Sequence, residues 1–184
     1  SAAYIPQKFS SEFSVDDENV SGNDTADAVE KNTLMPALLY RVWLAGVIAL
    51  AVFFAAANLR FYIRVRKNAV LIGNYQKLRV YDTKEVVSPC LFGVIAPAVY
   101  LDGSRIASET AKEHILTHEA THYRHRDNLW AALRAVAVVL HWYNPLVWYA
   151  AFVSEKDCEL ACDESVIKTL GEENRISYGE TLLQ

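Results

Sequence analysis

The sequence predicts an α+β chain, mainly helical. One transmembrane helix precedes a domain with a long helix, a small sheet bearing an edge strand, and a helical hairpin. Three observations lead there. Residues 42–57 form an apolar run without a charge. Residues 111–126 contain neither Gly nor Pro and repeat histidine at His114, His118 and His122. Between these regions lie two β-prone stretches, residues 78–81 and 94–101.

The N-terminal residues 1–33 are rich in Ser, Asp, Glu and Asn. Such a composition offers too little apolar surface to offset the entropy of ordering, so a flexible segment is expected. Asn19-Val20-Ser21 and Asn23-Asp24-Thr25 match glycosylation sequons and are read as chance matches. Residues 34–59 are apolar except for Arg41 and Asn58, long enough for a bilayer core that needs about 20 such residues. Arg41 can snorkel to the interface. A cleaved signal peptide does not fit, because an acidic segment comes first. The span is expected over residues 34–60. Arg60, Arg64, Arg66 and Lys67 follow it, whereas Asp16, Asp17, Glu18, Asp24, Asp27 and Glu30 precede it. The positive-inside rule then puts residues 1–33 outside and residues 61–184 in the cytoplasm.

Leu78-Arg79-Val80-Tyr81 alternates, and residues 94–101 are apolar and β-prone. Pro97 lacks an N–H for the ladder and therefore argues for an edge strand. An edge beside a catalytic centre can take an extended peptide by strand addition. Gly93, Val94, Ile95 and Ala96 are accordingly candidate substrate contacts, against the plainer reading of a strand that only covers the core.

Thr110-Ala111-Lys112-Glu113 matches a capping box at the start of the long helix. Residues 129–153 form a second apolar region, broken by Arg134, His141 and Asn144-Pro145. Pro145 cannot continue a helix begun before it without a kink, and each half is too short to cross a bilayer. The expectation is a helical hairpin that packs on the protein or dips into the interface. Trp130, Trp142, Tyr143, Trp148 and Tyr149 suit a membrane–water boundary.

The long helix carries His118-Glu119-Ala120-Thr121-His122, an H-E-x-x-H motif. Residues four apart share a helix face. Two imidazoles so placed can bind one Zn²⁺, and Glu119 can act as general base on a water that the metal acidifies. His114 and His125 are read as neighbours, since the motif already supplies two ligands. Catalytic zinc usually takes three protein ligands. Glu159 and Asp163 again share a helix face, so one can ligate while the other orients a ligand histidine. A solvated acidic helix end is the plainer alternative there.

These motifs combine in order: His118-Glu119-x-x-His122 with Tyr123-Arg124-His125-Arg126-Asp127, then residues 141–148 as H-W-Y-N-P-L-V-W, then Glu159-Leu160-Ala161-Cys162-Asp163-Glu164. Together they resemble the BlaR1/MecR1 family of membrane metallopeptidases, peptidase family M56. The resemblance runs from the last span before the protease domain to the C-terminus. It implies a gluzincin-like zinc metalloprotease domain. It also implies that His118, His122 and Glu159 bind zinc, that Glu119 is the base, and that Asp163 holds a ligand from behind. His141 and Asn144 are candidate oxyanion or substrate contacts.

By the same resemblance, the chain belongs in a bacterial cell membrane. There it transmits an extracellular signal, such as an antibiotic, by cleaving itself or a cytoplasmic transcriptional repressor. The resemblance leaves the inducer and the oligomeric state open, and no β-lactam sensor domain is recognisable. A catalytically silent signalling module with a structural zinc is the competing reading.

Length and charge bound the rest. The 184 residues, 52% hydrophobic, suit one modest domain and a span. A net charge of −4 gives no reason to expect direct nucleic-acid binding. Cys90, Cys158 and Cys162 form no C-x-x-C pair and are expected as reduced thiols. Ser165-Val166-Ile167-Lys168 fits S-x-x-K, but no Ser-Asp-Asn or Lys-Thr-Gly accompanies it, so it is read as chance.

Overall fold

The computed structural model describes residues 22–182, with side chains from residue 35 onward. The described residues fall into two compact units. The first, up to Val42, is the N-terminal part of α1 (Gly22–Lys67). Within the segment read as flexible over residues 1–33, residues 22–33 are helical; residues 1–21, with the first sequon, lie outside the described residues. Met35–Lys67 is long and apolar enough to cross a membrane, and its most apolar window, of mean hydropathy 2.2, is 0% buried.

The second unit begins at Trp43. It continues α1 into a four-stranded sheet formed by β1 (Val70–Tyr75), β2 (Leu78–Asp82), β3 (Cys90–Phe92) and β4 (Ala98–Leu101), in the order β1-β2-β4-β3. β1 and β2 are antiparallel, β2 and β4 parallel, β4 and β3 antiparallel. The helices α2 (Glu109–His125), α3 (Asp127–Leu140), α4 (Pro145–Leu170) and α5 (Arg175–Leu182) follow.

β4 is buried at every position because both its faces are covered. Side chains alternate across a strand. Val99 and Leu101 join Leu78 and Val80 against Leu116 and Ala120 of α2, while Ala98 and Tyr100 pack with Val65 of α1 and Val86. An inner strand buried on both faces reads as a continuous apolar run. This corrects the expected edge: residues 98–101 are interior, and the edge strands are β1 and β3. Pro97 stands just before β4, where its missing N–H removes nothing from the ladder.

The expected hairpin is α3 and α4. Asn144 caps α4, its side chain accepting from the Leu146 N–H at 3.0 Å, and Pro145 takes the first helical turn, where its lost N–H is free anyway. α4 continues to Leu170 and so carries Glu159 and Asp163 alongside α2.

Candidate metal centre

α2 starts two residues earlier than the capping box suggests. Ser108 has extended backbone angles and its Oγ accepts from the Ala111 N–H at 3.0 Å, so Ser108 rather than Thr110 is the cap. At the other end Arg126 adopts the left-handed conformation, φ 61°, and its N–H closes on the His122 and Tyr123 carbonyls. This abrupt turn starts α3 at Asp127 and brings that carboxylate back over α2.

The two histidine rings of the motif meet there. Their Nε2 atoms lie 2.9 Å apart. Glu159 Oε2, from α4, is 3.7 Å from His118 Nε2 and 3.6 Å from His122 Nε2. The opposite ring nitrogens are held from behind. His122 Nδ1 is 2.7 Å from Asp127 Oδ2. His118 Nδ1 is 2.7 Å from the Tyr178 hydroxyl, which donates to Asp163 Oδ1 at 2.7 Å; that same oxygen is 3.3 Å from Nδ1.

These partners fix the tautomers. Each Nδ1–H donates outward, so both Nε2 atoms present lone pairs to one another. Lone pairs 2.9 Å apart repel unless a proton or a cation lies between them. Three tetrahedral donors at the usual metal distance of about 2.1 Å stand about 3.4 Å from one another. The observed triangle of two nitrogens and one carboxylate oxygen fits that chemistry.

A second donor set shares this space, because His118, His122 and Cys162 bring ligand atoms within 4.8 Å of one another. Cys162 Sγ, however, lies 3.7 Å from His118 Nδ1, the nitrogen already bonded to Tyr178, and 3.5 Å from the His118 carbonyl. Burial pushes its thiol well above the ordinary range, followed by the charge of Glu159. The thiol thus lies toward the Nδ1 side of the His118 ring, whereas Glu159 Oε2 approaches both Nε2 atoms.

Glu119 is buried between the two histidines in sequence and faces the cavity. Burial raises its carboxyl to about 7, with the His122 charge and the Leu91 N–H opposing that rise. A carboxyl titrating near neutrality suits a group that takes and returns a proton. His118 shifts the other way: burial and then the neighbouring His122 charge lower its pKa. The cavity, about 620 Å³, brings Glu119, His118, His122 and Glu159 together with Leu91 and Arg134.

Other expected site residues lie elsewhere. Gly93, Val94, Ile95 and Ala96 form no strand; they make the turn before β4, with Gly93 at φ 106° and Ile95 fully exposed. The edge beside the cavity is β3, through Cys90 and Leu91. His141 and Asn144 do not line the cavity. They sit at the hairpin turn, where His141 Nδ1 meets the Ala137 carbonyl at 3.2 Å and Asn144 caps α4. The 14 residues of α3 separate them from Asp127 by about 20 Å along the helix. His114 turns to Thr181 at 3.0 Å and His125 to Ser165 at 3.4 Å.

Sequence reasoning gave no role to Asp127 or Tyr178. Asp127 stands five residues beyond His122, in the motif that carried the resemblance. Nothing in the local pattern marks Tyr178, which α5 delivers from the far end of the domain.

An H-E-x-x-H pair converging with a downstream glutamate defines a metallopeptidase-type constellation on a mainly helical chain. The family model described as BlaR1 peptidase M56 matches residues 2–184, and the chain belongs to that family. It is 28% identical over 169 residues to the regulatory protein BlaR1 of Bacillus licheniformis, covering 82% of this chain. It is 26% identical over 165 residues to the methicillin resistance mecR1 proteins of Staphylococcus aureus and Staphylococcus epidermidis, covering 80% of this chain. The chain spans 28% of the length of each of these relatives.

Proposed function

We propose that this chain is the zinc-dependent protease portion of a membrane signal transducer of the BlaR1/MecR1 type. The observation that carries the reading is the convergence of His118 Nε2, His122 Nε2 and Glu159 Oε2 within 3.7 Å, in one cavity with Glu119. His118, His122 and Glu159 hold Zn²⁺ in a gluzincin-like domain. Asp163, through Tyr178, and Asp127 keep the imidazoles turned toward it. Zinc in this position supplies Lewis acidity to a scissile carbonyl and acidifies water. Glu119 accepts the proton of the attacking water and passes it to the departing amine.

The proposed organisation places residues 1–33 outside, a span over residues 34–60, and residues 61–184 on the cytoplasmic side of a bacterial membrane. Arg60, Arg64, Arg66 and Lys67 after the span support that orientation. The substrate is a protein, either the chain itself or a transcriptional repressor, and an extracellular signal such as an antibiotic triggers cleavage. This part of the proposal rests on the relatives' names and on family membership.

The competing reading is a silent module with a closed structural site, favoured by the nearness of Cys162 to both histidines. Zinc content of the detergent-purified chain, beside His118→Ala, Glu119→Gln and Cys162→Ala, separates the two. The expected result is about one zinc per chain, lost in His118→Ala, retained in Glu119→Gln and Cys162→Ala, with proteolysis abolished in Glu119→Gln alone of the last two. Zinc lost in Cys162→Ala favours the closed site. Cleavage at normal rate by Glu119→Gln removes Glu119 as base.

A further inference from the structure

The hairpin of α3 and α4 exposes more apolar surface than a water-facing element tolerates. Trp130, Leu133 and Val136 on α3, and Leu146, Tyr149 and Phe152 on α4, are each between 48% and 72% exposed. A contiguous face of this kind marks a partner or a lipid surface. Between Asp127 and Glu155 the only charged residue is Arg134. Arg134 points inward, meeting Ser154 Oγ and Cys158 Sγ of α4, each at 3.4 Å. A charge turned to the protein interior, with apolar side chains outside, is the arrangement expected in lipid.

Two pins set where the hairpin lies. At its tip, the Trp43 Nε1–H donates to the Leu140 carbonyl at 3.0 Å, and the Trp142 Nε1–H donates to the Trp43 carbonyl at 3.2 Å. The Trp142 ring rests on Gly46, where a Cβ would collide with it. At its base, the Asn128 amide donates to the Gly93 carbonyl at 2.7 Å, next to Phe92, whose ring centroid is 4.9 Å from that of Phe61. Trp43 and Phe61 stand about 27 Å apart along α1. The hairpin thus runs beside α1, from the arginine-bearing end to the opposite end of the uncharged run.

The tip is also chemically prepared for lipid. Several of its N–H groups find partners within the hairpin: His141 N with Ala137 O, Asn144 N with His141 O, Leu146 N with Asn144 Oδ1, and Trp148 Nε1 with Trp142 O, while the Trp142 ring N–H is satisfied by α1. Backbone at membrane depth has to be satisfied in this way, since no water is available there.

We propose that α3 and the first half of α4 form a membrane-inserted hairpin, entering and leaving on the arginine-rich side of α1, with phospholipid acyl chains covering its apolar face. The inference rests on the reading of α1 as a span. It places the cavity at the hairpin's base, at the lipid–water boundary, so that peptide bonds near the membrane surface are the ones within reach.

The test is spin-label accessibility in vesicles of phosphatidylcholine and phosphatidylglycerol. Cys90 and Cys158 are replaced by Ala; Cys162, fully buried, remains. Single labels go at Val136→Cys and Tyr149→Cys on the hairpin, Val52→Cys on α1, and Val87→Cys on the exposed loop before β3. The expected result is that positions 52, 136 and 149 are accessible to oxygen and shielded from a polar nickel chelate, with position 87 the reverse. Nickel access at 136 and 149 with shielding at 52 overturns the hairpin inference alone. Nickel access at 52 as well overturns the span reading with it. Shielding of 136 and 149 from both reagents means that protein covers the face, which also overturns the proposal. Should the labelled variants fail to fold, the unmodified chain serves. Brominated lipids then quench most of the emission of its four tryptophans, and quenching confined to Trp43 overturns the proposal.

Discussion

Asp127 Oδ2 stands 2.7 Å from His122 Nδ1, although Asp127 begins the helix after the one that carries His122. The single left-handed residue Arg126 makes this possible by reversing the chain within one position. A break between two helices thereby becomes part of the candidate metal centre.

Replacing Asp127 by Ala removes the acceptor that fixes the His122 tautomer. Zinc affinity should fall roughly 10–100-fold, as is usual when such an outer partner is lost. Competition with a chelating dye reads this directly, and unchanged affinity removes Asp127 from the centre.

Tyr178→Phe keeps the buried ring but removes the hydroxyl that bridges His118 and Asp163, leaving only their longer direct approach of 3.3 Å. The expected effects are weaker zinc binding and a stability loss of about 1 kcal/mol. Combining it with Asp163→Asn should give much less than the sum of the two losses, because both act through His118 Nδ1. Strict additivity of the zinc affinities would show that the three groups do not work as a unit.

Arg126→Gly relieves the left-handed backbone at φ 61°, which an L side chain adopts at a cost of about 1 kcal/mol. The variant should be more stable by up to about 1 kcal/mol in denaturant unfolding, with zinc affinity unchanged. A loss of stability would mean that the Arg126 side chain contributes more than its backbone costs.

Glu119 titrates near 7 in the folded, metal-free chain, against 4.5 for an ordinary glutamate, chiefly through burial. A raised folded pKa means that the folded state holds this proton more tightly than the unfolded state does. Its stabilising contribution is complete below about pH 4.5 and is lost as pH rises through about 7. Relative to Glu119→Gln, the chelator-treated parent should therefore lose on the order of 3 kcal/mol across that window. Comparison with the variant cancels the opposite contribution of His118, whose lowered pKa favours folding as pH rises. Parallel pH profiles for the two proteins would place Glu119 in contact with water.

Zinc binding should weaken as pH falls, because protons compete for both Nε2 atoms. The lowered pKa of His118 keeps that ring neutral to a more acidic pH than a free imidazole. For His118 the loss therefore sets in only at pH below the ordinary histidine value of about 6.5. An affinity that never falls on acidification, up to the point of unfolding, would argue that the histidines are not ligands.

What was legible in the sequence was local. The helix period alone puts His118 and His122 on one face and Glu159 and Asp163 on another, and Pro145 alone divides the hairpin. The apolar run marks α1 as a membrane-length helix. Strand order was not legible, because residues 94–101 read either as an edge strand marked by Pro97 or as a strand that only covers the core, and neither reading separates the turn at residues 93–97 from the inner strand that follows. The choice depends on β2 and β3 flanking β4, which no local pattern contains. His141 and Asn144 sit in a polar, motif-like segment, yet the 14 residues of α3 carry them away from the metal centre.

The sequence by itself determined which donors exist and at what helical spacing, since i to i+4 geometry needs only the backbone. Tertiary structure alone decided that Asp127 and Tyr178 stand behind the two histidines, that β3 rather than residues 93–96 borders the cavity, and that Trp142 meets α1 at Gly46. Those contacts join residues brought together by an abrupt helix break, by strand pairing and by packing across the domain. Their energies depend on the whole arrangement of buried surface rather than on any one stretch of chain.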